Sequence, residues 1–183
     1  MRVLYLDAFS GISGDMTVGA FLDLGLPLAQ IEDAIAVLGL AEVTVSLERV
    51  VRSGVTAAKF HVRVRGEHPD EPVRHGPAHA HRPYAGIRDL LHESALAPPV
   101  KATALAIFQR LAEAEGRVHG VAADAVEFHE VGALDAIVDV VGAALGFVHL
   151  GVDAVYVRPL PLGQGQVHTA HGPLPVPVPA VVE

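Results

Sequence analysis

Four stretches of the chain gather side chains that could bind or activate a ligand. The first is Asp7-Ala8-Phe9-Ser10-Gly11-Ile12-Ser13-Gly14-Asp15, between a short apolar run and a helical pattern. A strand, a Gly/Ser loop and a helix in that order present backbone N–H groups where a phosphate can sit. Gly11 and Gly14 would let the backbone approach closely, and Ser10 and Ser13 add hydroxyl donors. Asp7 and Asp15 could hold a divalent ion against that phosphate. No Lys-Ser/Thr pair follows the last glycine and the G-x-G-x-x-G spacing is absent, which excludes both common nucleotide loops. The same residues also suit an ordinary strand-to-helix turn with Ser13 or Asp15 as N-cap.

The second stretch is rich in histidine. Five of the eleven His residues (His61, His68, His75, His79 and His81) fall between positions 61 and 81. Neutral imidazole binds borderline metals such as nickel, zinc and copper. His79 and His81 on an extended segment would place both rings on one side, with His75 close by in sequence. A solvated loop that happens to contain His is the plain alternative. The chain has no Cys, so thiolate sites and disulfides are excluded and any metal must be held by His, carboxylate, carbonyl or water.

The third stretch runs from Phe128 to Asp139. Asp135 and Asp139 are four residues apart and share one helix face, with His129 and Glu130 just ahead of it. Two carboxylates on a mostly apolar helix are costly to bury unless paired or metal-bound; a partly exposed face is the other reading. The fourth stretch, Pro161 to Pro177, offers Gly163 and Gly165 for close backbone approach and His171 in a Gly/Pro setting. A structural crossover loop fits it as well. There is no G-x-S-x-G, and His129-Glu130 lacks the second His of H-E-x-x-H.

The elements that must position these groups are legible in outline. The 183 residues suit one domain or two small ones, with a core of Ala, Val, Leu and Ile, since Trp is absent. A formal charge of −8 and scattered Arg residues argue against a nucleic-acid partner. The N-terminus lacks a signal-peptide core, and the longest apolar stretch, 136–152, is broken by Asp139 and His149. A cytoplasmic protein with no membrane partner is expected. Val3–Asp7 reads as a buried strand, Thr17–Leu24 as a helix, and Pro27–Gly39 as a second helix with Leu28, Ile31, Ile35 and Leu38 in one stripe. Residues 43–51 and 56–64 alternate with period two around Ser53-Gly54, a hairpin pattern. Residues 66–83 form a long His/Pro loop. Helices are expected over 84–93, 100–116 and 132–150, a strand over 152–157, and an extended tail over 159–179. Pro179 looks like the start of another helix. The fold class expected is α/β or α+β, a mixed sheet flanked by helices.

Three of these stretches are specific in combination. LYLDAFSGISGDM, FHEVGALDAIVDVVG and PLPLGQGQVHTAHGPLPVPVPA, with the His-rich loop as a compositional match, resemble in order the nickel-insertion proteins of nickel-pincer nucleotide cofactor synthesis, the LarC family. The likeness runs from Leu4 to the end. It implies a nickel-inserting lyase, acting with CTP and a magnesium or manganese ion, that places nickel into pyridinium-3,5-bisthiocarboxylic acid mononucleotide. The product is the pincer cofactor of lactate racemase-type enzymes. The partners it implies are that nucleotide precursor, CTP, the accepting racemase and a C-terminal domain. Residues 1–183 would be the N-terminal domain, with the C-terminal domain of the family absent. In this family the His tract is often denser. Under this resemblance His129 and Glu130 become candidates for accepting the proton lost as the nickel–carbon bond forms, with Asp135 and Asp139 beside them. A non-catalytic nickel-storage module and a divalent-metal phosphohydrolase built on Asp7 and Asp15 are the alternatives.

Overall fold

The computed structural model describes residues 1–65, 82–128, 133–169 and 172–183. In chain order the described elements are β1 (Val3–Leu6), α1 (Gly14–Asp23), α2 (Leu28–Val37), β2 (Val43–Arg52), β3 (Val55–Val64), β4 (Arg82–Pro83), α3 (Tyr84–Glu93), α4 (Pro98–His119), β5 (Glu127–Phe128), α5 (Leu134–Leu150), β6 (Ala154–Val157), β7 (Gln166–Thr169), β8 (Gly172–Pro175) and α6 (Pro179–Val182). The class is mixed α/β, as expected. Among the described residues the sheet is divided into four two-stranded pieces: β1 with β6, β2 with β3, β4 with β5, and β7 with β8.

The core forms where helices can approach closely. On α1, Val18, Phe21 and Leu22 are buried, and α5 meets them with glycines. A Cβ on Gly142 would lie 2.9 Å from Val18 Cγ2, and one on Gly146 would collide with the Phe21 ring. Phe147 completes that seat, edge-on to Phe21 with ring centroids 5.0 Å apart. The small-residue face read from the sequence of α5 is therefore the groove that receives α1. The opposite flank of α1 uses the same device, because a Cβ on Gly19 would lie 2.9 Å from the Ala58 carbonyl oxygen of β3.

The period-two pattern of 43–64 does form a hairpin, paired from Val43–Val64 to Arg52–Val55. Its Phe60 is buried against the helices. The stripe on α2 delivers Ile31, Ile35 and Leu38 to the core, while Leu28 packs at its margin. A second part of the core lies between α3 and α4: Phe128 sits between Tyr84 and Phe108, with centroids 6.2 and 6.3 Å away. The Tyr84 hydroxyl donates to Gln109 Oε1 at 2.5 Å.

Several boundaries differ from the sequence expectation. Helix α1 starts at Gly14 rather than Thr17, and α4 runs from Pro98 through His119, where Gly120 closes it in the left-handed conformation. The Pro/Gly tail is not wholly loop-like: Gln166–Thr169 pairs antiparallel with Gly172–Pro175. Pro173 and Pro175 alternate along β8, so their missing N–H groups fall on the side that does not need to donate. Of the His-rich loop expected at 66–83, residues 66–81 lie outside the described residues, and Arg82–Pro83 form strand β4 rather than loop.

Candidate functional site

The candidate site lies where the N-terminus of α1 crosses α5. Ser13 occupies the N-cap position with extended backbone, yet its side chain caps no backbone N–H. Its hydroxyl donates instead to Asp15 Oδ1. The group that reaches the first turn comes from α5. Asp139 approaches Gly14 so closely that a Cβ there would lie 2.6 Å from Asp139 Cβ, and the Asp15 backbone N–H donates to the Asp139 carboxylate. Gly14 is thus needed for room, and what fills that room is a carboxylate of the chain itself.

Asp139 is poorly solvated. Among the described residues its Oδ1 is buried without a hydrogen-bond partner. Burial pushes this carboxyl up to about 7, and the charges of Asp15 and then Asp135 push the same way. The backbone N–H of Asp15 opposes them by favouring the ionised form. The helix end also favours an anion, but loss of water around a carboxylate is the larger effect. Three acids from two sequence-distant segments therefore lie together: Asp135 is exposed, Asp15 and Asp139 are half-buried, and Asp139 has its Oδ1 fully buried. At neutral pH Asp139 is poised to exchange one proton.

The remaining candidates fall elsewhere. Asp7 ends β1 beside the end of β6, and its Oδ1 accepts from Arg158 Nη1 at 3.2 Å. Arg158 was not singled out from the sequence; the signal was its place just after a strand that pairs in parallel with β1, Leu6 opposite Val157. Gly11 has φ of +94° and gives its N–H to the Ala8 carbonyl at 3.1 Å, so it shapes the loop as a turn. Ser10 is exposed on that loop and lines a groove with Phe9, Ile12 and Met16. Gly163 and Gly165 also have positive φ, and the Gly165 carbonyl accepts from the Val176 N–H at 2.9 Å. They hold the entrance to the β7–β8 hairpin.

His75, His79, His81, His129, Glu130 and His171 lie outside the described residues. Among the described residues no group of three or more His, Asp or Glu side chains is placed to hold a metal ion. Asp7 accepts from Arg158, and Asp15 from the Ser13 hydroxyl. No helix among them is long and apolar enough to cross a membrane.

Fold and site together define a mixed α/β protein with a partly buried carboxylate beside a Gly/Ser loop. Comparison with known proteins makes the assignment particular: residues 4–183 match the family described as "Nickel insertion protein", and the chain belongs to that family. A protein of Geotalea daltonii and one of Geobacter metallireducens are each 51% identical over 185 residues, covering 100% of this chain and 45% of their own length. One from Thermomicrobium roseum is 50% identical over 181 residues, covering 98% of this chain and 42% of its own length. All three bear the name "Putative nickel insertion protein". The chain thus spans less than half the length of these relatives. No solved structure matches it.

Proposed function

We propose that this chain contributes the proton-accepting part of a nickel-inserting lyase, a cytoplasmic enzyme that uses CTP as co-substrate. Its organic substrate is pyridinium-3,5-bisthiocarboxylic acid mononucleotide and its metal substrate is Ni2+. In the reaction a carbon–hydrogen bond of the pyridinium ring is replaced by a carbon–nickel bond. One proton must leave as one Ni2+ enters, and no electrons are transferred. A general base works best when its pKa lies near the working pH.

The observation that carries this reading is the Asp139 carboxyl, poised at about 7 beneath Gly14 and coupled to Asp15. An ordinary carboxylate would hold such a proton too weakly. In this reading Asp15, half-buried, meets the substrate side and Asp139 shares the proton it receives. His129 and Glu130, at the start of the same segment, remain candidates for the first contact with the ring. The His-rich stretch containing His75, His79 and His81 would deliver nickel, and residues 1–183 would act with the further domain that the relatives' length allows.

The phosphohydrolase alternative draws no support from Asp7, which is held by Arg158. The test separates enzyme from storage module. Asp139→Asn in the full-length protein, assayed with Ni2+, CTP and the precursor, should lower cofactor formation at least 100-fold while equilibrium nickel binding stays unchanged. Unchanged cofactor formation would remove the proposed role of Asp139. Formation independent of Asp15, Asp135 and Asp139, together with nickel binding lost on His79→Ala/His81→Ala, would favour storage.

A further inference from the structure

We infer that the free edge of β1 is a docking site for an extended strand, supplied by the portion of the family's polypeptide that lies outside the segment this chain spans. The inference starts from hydrogen bonding. In a parallel ladder a residue faces its neighbour with both N–H and C=O, and successive residues face opposite edges. The Arg2 carbonyl accepts from the Ala154 N–H and the Leu6 carbonyl from the Arg158 N–H, so Arg2, Leu4 and Leu6 face β6. Val3, Tyr5 and Asp7 therefore turn their backbone groups to the other edge. Among the described residues no strand pairs there.

Strand β1, the loop that follows it and α1 together line an apolar groove of about 340 Å³. Its walls include Leu4, Leu6, Phe9, Met16, Phe21 and Leu24. Phe9 is 77% exposed and Leu24 58%, large values for side chains of this type. The single charged residue in the lining, Asp7, is already paired with Arg158. The groove thus offers, among the described residues, a row of unpaired backbone donors and acceptors beside apolar side chains. That combination suits an added strand with apolar residues facing α1, and not a phosphate or another anion.

The sheet itself points the same way. Parallel sheets are normally covered on both faces, and a two-stranded sheet is marginal by itself. Here Tyr5 and Tyr156, directly opposite in register, are 59% and 60% exposed on one face. The relatives carry more than half of their length outside the matched segment, which is ample for further strands. A same-chain strand would also remove an edge that otherwise invites aggregation.

Amide hydrogen exchange tests this on two proteins: the 183-residue chain and the full-length Geotalea daltonii relative. In the relative, amides at the positions equivalent to Val3, Tyr5 and Asp7 should exchange at least 100-fold more slowly than those of Val3, Tyr5 and Asp7 here. Tyr5→Pro removes a donor from the free edge only. It should leave the melting of the 183-residue chain within a few degrees of the parent, whereas the equivalent change in the relative should restore fast exchange at the neighbouring positions. Fast exchange at all three positions in the full-length relative would overturn the proposal. So would slow exchange in the 183-residue chain accompanied by a concentration-dependent dimer, since the occupant would then be a second copy.

Discussion

Two regions of this molecule are similarly apolar and are treated in opposite ways. Where α1 crosses α5, Val18 and Phe21 sink into the notches left by Gly142 and Gly146 until almost nothing of them is exposed. In the β1–β6 ribbon, Val3, Tyr5, Val155, Tyr156 and Val157 are exposed, although Val3–Asp7 reads from the sequence as a buried strand. Composition is nearly the same; what differs is the partner surface. On α5 glycines every fourth residue let a helix come close, and beside β1 the described residues provide nothing to come close. The helix crossing also hides a carboxyl, so it combines close packing with the one strongly perturbed acid among the described residues.

This contrast can be broken or sharpened by substitution. The largest effect on stability is expected from Phe21→Ala, which would leave a cavity in the α1–α5 seat and should cost about 3–5 kcal/mol in denaturant unfolding. Gly14→Ala comes next, since the new methyl meets the Asp139 side chain; a loss of about 1–3 kcal/mol is expected. Replacing both Gly14 with Ala and Asp139 with Ala should recover part of that loss, because the collision is between these two residues.

Asp139→Asn should behave in the opposite sense at high pH. The folded chain holds the Asp139 proton up to about 7, whereas an unfolded chain releases it near 4. The folded state therefore binds more protons across that window, and this group's contribution to stability falls as pH rises from about 4 to 7, then levels off. Asn carries no such penalty. It should stabilise the chain by about 1 kcal/mol at pH 8, a figure reduced for the water that still reaches the carboxyl, and should show no gain at pH 4. The smallest effect belongs to the ribbon: Tyr156→Ser should change stability by roughly 0.5 kcal/mol or less, as for other exposed side chains. A loss of several kcal/mol there would mean that the ribbon is covered in solution.

Much of the scaffold was legible because its signals are local. The hairpin of β2 and β3 follows from alternation around Ser53-Gly54, and α3 runs over Tyr84–Glu93, where the pattern after Pro83 places it. The tail was harder, since Pro173 and Pro175 argue against a strand unless their spacing matches the non-bonding side of a two-stranded pair. The site was legible in its parts only. Asp15 and Asp139 were both singled out, one for a metal and one for chemistry, but no local pattern says that α1 begins on top of α5. Gly14 looked like a glycine kept for phosphate approach, and the structure shows it making room for Asp139. Arg158 escaped notice because its meaning depends on β6 lying beside β1.

The most direct measurement is the titration of the Asp139 carboxyl by carbon-detected NMR, assigned with Asp139→Asn and repeated in Asp15→Asn. The expected midpoint is near 7 in the parent chain and lower when the Asp15 charge is removed. A midpoint near 4, unchanged by Asp15→Asn, would contradict it, because the acid pair could then hold no proton at neutral pH.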